Sequence, residues 1–275
     1  MRRQNTSVPS RLPNWMFLWP LRRGTIKTMF VQRYVSTDLT HFVGAKLKTQ
    51  RQQYSLLKRI LKSGVLKASP KPTGPAIHIL IRDTELPLSS NAACLGSVVC
   101  FCDIPMCDLT LHMDKYSKFG LAFSKDFLAN LGALPVIYIP VRGRPALLPY
   151  EDYGRKRVSS QAVSFNEFWR LFSRIEQAIP HLEGSKPLAQ TAKELRQMML
   201  FLECNIISNF KFFDHRLDDT EAEHFYMERE WRVSQNVPFT LDDVQRVIIP
   251  AFYSGRFRQD FPNFDGEVVF ADWEH

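Results

Sequence analysis

The chain has 275 residues, of which 45% are apolar and 23% charged, and its formal net charge is +8. This length suffices for one large domain or two small ones, and the ordinary composition excludes collagen-like, disordered and coiled-coil proteins. Five cysteines are too few for a disulfide scaffold, so we expect a cytoplasmic protein with reduced cysteines.

The positive charge is concentrated at the start of the chain. Residues 1–28 hold six basic and no acidic residues, residues 29–82 hold ten basic and one acidic, and residues 83–275 hold 20 basic and 27 acidic. The first segment is interrupted by three prolines, and its longest apolar cluster has five residues, too few for a signal peptide or a membrane span. We predict that residues 1–28 are a disordered extension, or upstream sequence preceding a true start at Met29. A transit peptide or a basic tail that contacts nucleic acid is the alternative. The folded domain is predicted over 29–275.

The first elements of this domain are a strand and a helix. Residues 30–35 are prone to form a strand, and a turn at 36–38 precedes His41. Thr49 is placed to cap a helix that runs through Ser63 and ends at Gly64. Three basic residues lie near one another on the polar face of this helix: Arg51, Lys58 and Lys62. Such a face is usually solvated, but it is also a candidate surface for nucleic acid.

Strands are predicted at 77–81, 98–101, 120–123 and 136–139, followed by a polar, basic loop at 142–161. Ser164 and Glu167 match a capping box, which predicts a helix that Pro180 terminates, and a second helix follows at 187–207. Further strands are predicted at 231–233, 246–249 and 268–270, with Thr240 and Asp243 capping a short helical turn. We therefore predict one α+β domain with a mixed or antiparallel sheet and a helical pair inserted at about 164–207.

Two carboxylates, Glu228 and Glu230, are the most distinctive local feature. In a strand they would point to the same face and repel, and the pKa of at least one would rise if it were desolvated. Pairing with arginine would remove that cost. The alternative is an exposed edge strand in which Arg229 and Arg232 are the salt-bridge partners.

No metal site is predicted. Cys102, Cys107 and His112 could serve as ligands, but the paired Cys-x-x-Cys spacing of zinc sites is missing from the sequence. The acidic residues between 214 and 224 lack the spacing of a calcium loop, so a solvated loop is favoured there.

Several of these segments resemble the AbiGi family of bacterial abortive-infection (phage-resistance) proteins. The resemblance runs from about residue 29 to 270 and is carried by residues 39–44, 99–105, His112, 116–123, 135–138 and 228–232. Members of that family are described as antitoxins of abortive-infection toxin–antitoxin pairs. The resemblance therefore implies a phage-defence antitoxin that binds a partner toxin or nucleic acid.

A second, weaker set of features is similar to the ADP-ribosyltransferase superfamily. These features are a histidine near the first strand, a following helix that ends in Ile-Leu-x-x-Gly, a central aromatic residue and a late glutamate. By this resemblance Thr40, His41 and Tyr116 would bind NAD, and Glu230 would be the catalytic carboxylate with Glu228 upstream of it. The usual Ser-Thr-Ser strand is missing from the sequence.

The sequence thus supports two hypotheses, a binding protein and an NAD-dependent transferase. The enzyme hypothesis predicts that His41, Tyr116 and Glu230 converge in one cleft. The binding hypothesis makes no such demand.

Overall fold

A computed structural model describes residues 36–69, 80–83, 85–90, 94–142, 161–218, 221 and 224–272. The predictions for 1–28 and for a strand at 30–35 lie outside these residues, as do most of the strand predicted at 77–81 and most of the basic loop at 142–161.

The described residues form thirteen strands and six helices, joined by turns and short 3₁₀ segments. The strands are β1 (Asp38–Phe42), β2 (Val65–Leu66), β3 (Leu80–Arg82), β4 (Cys94–Gly96), β5 (Val99–Cys102), β6 (Gly120–Ser124), β7 (Leu134–Pro135), β8 (Ile137–Pro140), β9 (Phe210–Phe213), β10 (Glu230–Val233), β11 (Val237–Pro238), β12 (Val244–Ile249) and β13 (Glu267–Phe270). The helices are α1 (Gln50–Ser63), α2 (Thr110–Lys115), α3 (Lys125–Asn130), α4 (Gln161–Glu183), α5 (Ala189–Asn205) and α6 (Ser254–Asp260).

A seven-stranded sheet forms the centre of the domain, in the order β13-β12-β6-β1-β5-β10-β7. Its neighbours pair antiparallel except β12 and β13, which are parallel. The central strand β6 has the sequence Gly-Leu-Ala-Phe-Ser, and its first four residues are buried, as expected of a strand covered on both faces. The predicted α+β class with a mixed sheet is therefore confirmed.

Helix α1 packs against this sheet as its sequence predicts. The Thr49 hydroxyl accepts a hydrogen bond from the Gln52 N–H, and Gly64 ends the helix in the left-handed conformation with φ 61°. Tyr54, Leu57 and Leu61 share one face and are buried in the main core. Their burial removes apolar surface from water, which holds the helix on the sheet.

The helical pair α4–α5 has a core of its own beside a small parallel sheet. Strands β8 and β9 form that sheet, and they precede and follow the two helices in the chain. Seven buried apolar residues form the core: Leu88, Phe165, Phe172, Ile179, Met199, Ile207 and Phe212. The insertion of a helical pair between strands is thus observed.

The predicted ends of α4 are wrong. The helix begins at Gln161, three residues before Ser164, so Ser164 is not its N-cap. Pro180 lies inside the helix rather than terminating it. It is tolerated because it sits in the last turn, where its missing N–H removes one helical hydrogen bond, and its own carbonyl accepts from the Gly184 N–H at 3.2 Å. The capping box predicted at Thr240 and Asp243 is confirmed.

Candidate functional site: a cavity above a buried charged cluster

A cavity of about 260 Å³ opens beside the central strands β1, β5 and β10. Its walls come from these strands together with α2 and β9. The lining residues are Thr40, His41, Phe42, Ser69, Gly96, Val98, Cys100, Phe101, Cys102, His112, Tyr116, Lys211, Glu228, Glu230 and Arg232.

The five predicted site residues all line this cavity, although they come from distant parts of the chain. They are Thr40, His41, Tyr116, Glu228 and Glu230. The first two are adjacent residues of β1, and Tyr116 is the C-cap of α2. Glu228 ends the 3₁₀ turn before β10, and Glu230 is the first residue of β10. The predicted convergence of His41, Tyr116 and Glu230 is therefore observed, while the chemical roles of these residues stay predictions.

The candidate metal ligands do not assemble. Cys102 and His112 line the cavity, but Cys107 is exposed elsewhere. Within the described residues, no group of three or more His, Cys, Asp or Glu side chains is arranged to hold a metal ion. In the acidic segment after β9, Asp214 accepts a hydrogen bond from Arg142 at 3.0 Å.

The two glutamates meet for a different reason from the predicted strand alternation. Glu228 ends a 3₁₀ turn at Phe225–Glu228, and β10 begins only at Glu230. Between them Arg229 adopts a left-handed conformation with φ 44°, which is uncommon for a residue other than glycine. This turn brings both carboxylates to the ammonium of Lys211, whose Nζ lies 3.2 Å from Glu228 Oε2 and 2.9 Å from Glu230 Oε2.

Glu230 is ionised and held on several sides. Arg232 donates to it from Nε at 2.8 Å and from a terminal nitrogen at 3.4 Å. Desolvation by itself would raise the pKa of this carboxyl, but Lys211 and Arg232 outweigh it and hold the pKa below its usual range. The prediction that one desolvated glutamate has a raised pKa is therefore wrong for Glu230.

The small sheet β8–β9 supplies two of the contacts to Glu230. Tyr138 on β8 and Lys211 on β9 are register partners, so their side chains share a face. The Tyr138 hydroxyl accepts the backbone N–H of Glu230 at 2.8 Å, and Lys211 contacts its carboxylate. The base of the helical pair thus positions Glu230.

Glu228 has its own partners on α2 and at the end of that helix. Lys115 Nζ lies 2.8 Å from its Oε1, and the Tyr116 hydroxyl donates a short hydrogen bond to the same oxygen. Desolvation and then the charge of Glu228 raise the pKa of Tyr116, so it remains a neutral donor. Both Lys115 and Lys211 also lie over the ring of Phe225, at 4.6 and 4.5 Å from its centroid.

His41 is a neutral member of the wall. Its Nδ1 lies 2.8 Å from the carbonyl oxygen of Cys100, which can only accept, so Nδ1 carries the proton and Nε2 is an acceptor. Desolvation lowers the pKa of His41 even though that hydrogen bond opposes the shift. Desolvation and the Glu230 charge raise the pKa of the neighbouring Cys100, which stays a thiol.

Sequence reasoning missed Lys211 and Lys115. The signal for Lys211 was present, because it is the one charged residue in the run Phe-Lys-Phe-Phe, where a buried lysine needs a partner. The predicted partner Arg232 is confirmed, but the strand is buried rather than an exposed edge, and Arg229 lies 3.7 Å from Asp103 instead.

The basic face of α1 is less charged than its sequence indicates. Lys58 forms an ion pair with Asp260 at 2.5 Å, whereas Arg51 and Lys62 are exposed. Of the three basic residues, only Arg51 and Lys62 therefore present their charge to solvent outside the ion pair with Asp260.

The cavity combines two ionised or hydrogen-bonded carboxylates, a neutral histidine and aromatic walls. Buried charges are costly unless paired, and clusters of this kind are typical of functional sites. An ionised carboxylate here can stabilise positive charge or accept hydrogen bonds from a small ligand.

Among the described residues, no helix is long and apolar enough to cross a membrane.

Comparison with known proteins identifies a family. No curated protein and no solved structure matches the chain, so the resemblance to ADP-ribosyltransferases is not confirmed. The model of a family described as "Putative abortive phage resistance protein AbiGi, antitoxin" matches residues 83–253, which is more than half of the chain. The predicted resemblance is confirmed over these residues, although residues 39–44 of the predicted match lie outside them, and the chain belongs to the AbiGi family.

Proposed function

We propose that this protein acts in phage defence as the antitoxin of a toxin–antitoxin pair and restrains its partner toxin by binding it directly. The observation that carries this proposal is the AbiGi match over residues 83–253, which spans the helical pair and most of the cavity wall.

The helical pair offers a surface suited to a protein partner. Phe168 and Ile175 on α4, and Met198 and Phe201 on α5, are large apolar side chains exposed to solvent, and Phe201 is 59% exposed. Exposed apolar groups that recur on one unit are typical of interaction sites.

The test is co-expression with the product of the neighbouring gene. We expect the wild-type protein to restore growth and to co-purify with the toxin, and the double variant Met198→Asp/Phe201→Asp to lose both effects. Phe252→Asp is the matched control, since Phe252 is 89% exposed but lies outside the helical pair. Full protection by the double variant would exclude this surface, and the failure of wild-type protein to bind or protect would overturn the antitoxin proposal.

Nucleic acid is a further proposed partner, through Arg51 and Lys62. Binding that rests on these charges should weaken as salt rises and should fall in Arg51→Glu/Lys62→Glu. Lys58 is left unchanged because it is paired with Asp260. If electrophoretic shifts with operator DNA show no such loss, this proposal is wrong.

A second candidate function is NAD-dependent ADP-ribosyl transfer, favoured by the presence of Thr40, His41, Tyr116, Glu228 and Glu230 in one cavity. Bound NAD would supply the ADP-ribosyl group and a nicotinamide leaving group. The aromatic walls suit a flat ring, and the ionised Glu230 could stabilise positive charge on the ribose. We expect Glu230→Gln to abolish NAD turnover with the fold retained by circular dichroism. A wild-type protein that does not bind NAD in calorimetry would contradict this candidate.

A further inference from the structure

The hydrogen bonds of the cavity wall are unevenly distributed between donors and acceptors. The cations donate to groups within the protein. Lys211 contacts both glutamates, Lys115 contacts Glu228, and Arg232 donates to Glu230 and to the backbone carbonyls of Ser208 and Phe210. Four of the five guanidinium N–H groups are used in these contacts, so Arg232 offers a ligand few donors.

Acceptors remain on the same wall. An ionised carboxylate offers about four acceptor sites. Glu228 receives one bond each from Lys115, Tyr116 and Lys211, and only the last of these falls on Oε2. His41 adds a second acceptor, because its Nδ1 donates to the Cys100 carbonyl and leaves Nε2 with a lone pair. The wall therefore favours a ligand that donates hydrogen bonds.

The charge of the cluster restricts the ligand further. The three cations Lys115, Lys211 and Arg232 face two anions, Glu228 and Glu230, so the cluster carries one excess positive charge. That excess disfavours a cation. An anion would find four of the five arginine donors already engaged. A donor that is itself uncharged meets neither obstacle.

The shape of the cavity favours a flat ring. Phe42 and Tyr116 both line it, and their rings are stacked with centroids 6.0 Å apart and planes at 22°. Phe101 and His41 form a second aromatic wall, 5.7 Å between centroids. Heterocycles stack on aromatic side chains of this kind. The volume of about 260 Å³ is enough for one ring system, so a larger ligand would place one ring in the cavity and the remainder outside its opening.

We propose that this cavity binds an uncharged planar heterocycle that carries an exocyclic amino or carboxamide group, such as an amino-bearing nucleobase. The N–H donors of that group are received by Glu228 and by Nε2 of His41, and the ring lies against Phe42 and Tyr116. This site is independent of the antitoxin role, because its ligand is a small molecule and its walls are not the exposed helical surface.

The experiment uses pairs of ligands that differ only in the donor. The affinity of the full-length protein is measured by calorimetry for adenosine against inosine and for cytidine against uridine, in which a carbonyl replaces the amino group. Nicotinamide is tested against nicotinic acid in the same way. We expect at least one donor-bearing member to bind at least tenfold more tightly than its partner, and the arm that shows this identifies the ring. AMP against adenosine then reports whether phosphate adds affinity.

Two variants locate the effect. His41→Leu removes the acceptor without breaking an ion pair, and we expect it to lose the preference for the amino member; His215→Leu, at an exposed histidine, is the matched control. Glu228→Gln keeps an acceptor and adds donors, so it should reduce the preference, with folding checked by thermal unfolding. The proposal is overturned if none of the heterocyclic ligands binds, including the case in which inorganic phosphate is the only ligand bound. It is also overturned if amino and carbonyl members bind equally, or if the preference for the amino member survives in both variants.

Discussion

Replacing Lys211 with methionine is the sharpest test of the buried cluster. The lysine side chain is 7% exposed, and its Nζ contacts two carboxylates that are 8% and 6% exposed. Removing it leaves Glu228 paired with Lys115 and Glu230 paired with Arg232, but it takes away the cation that lies between the two carboxylates in a site from which water is largely excluded. Breaking a buried ion pair in this way typically costs about 3–5 kcal/mol, and we expect the free energy of unfolding to fall by that amount at pH 7.

The stability difference between wild type and Lys211→Met should depend on pH. Without the ammonium, the desolvation that raises the pKa of Glu230 is opposed mainly by Arg232, so we expect the folded variant to bind protons that the folded wild type does not. The variant should therefore regain stability as pH falls from 7 to 5. The gap from wild type should be smaller at pH 5.

Urea unfolding at both pH values measures this gap. Lys58→Met is the control, because Lys58 also pairs with a carboxylate, that of Asp260, but its side chain is 31% exposed, and a surface pair contributes only about 0–1 kcal/mol. The double variant Lys211→Met/Glu228→Gln should recover part of the loss, since it removes one of the two facing charges. Equal losses at the two positions, or a gap that does not change with pH, would refute this account of the cluster.

Three further predictions concern stability. Glu230 contributes stability that is fully present above the unfolded glutamate pKa of about 4.3 and is lost progressively as pH falls from that value toward the lowered folded pKa. The midpoint temperature of thermal unfolding of Glu230→Gln should be below that of the wild type at pH 7, and it should change less with pH below pH 5. Gly64→Ala should destabilise by more than about 1 kcal/mol, since φ is 61° and a Cβ would lie 2.6 Å from the Phe239 oxygen, whereas Gly255→Ala in α6, with open space around it, should not. Thr49→Ala removes the N-cap of α1 and should cost about 1 kcal/mol by urea unfolding.

Local signals predicted most of the fold. The cap, apolar face and terminal glycine of α1 all depend on neighbours within the helix, and the structure confirms each of them. The prediction of where α4 starts was wrong because a capping box is only one of several ways to begin a helix, and the helix extends three residues before Ser164. The sheet order could not be predicted, since pairing β1 with both β5 and β6 depends on contacts far apart in sequence.

The site was predicted in part for a similar reason. The pair Glu228 and Glu230 was distinctive in the sequence itself, whereas His41 was indicated only by the resemblance to ADP-ribosyltransferases; all three line one cavity. Two of the three partners of Glu228, Lys115 and Tyr116, are more than 100 residues away, so no spacing rule could assign them. The left-handed conformation of Arg229 could not be predicted either, because no neighbouring residue in the sequence requires it.

The pairing of Tyr138 with Lys211 has a consequence for how this protein can vary. Helices inserted between two strands are usually free to lengthen, shorten or disappear during evolution, because they rest on their own core. Here the two strands that flank the insertion carry the side chains that contact Glu230. Related proteins should therefore tolerate large changes in α4 and α5 only where the tyrosine and lysine at the base keep their register.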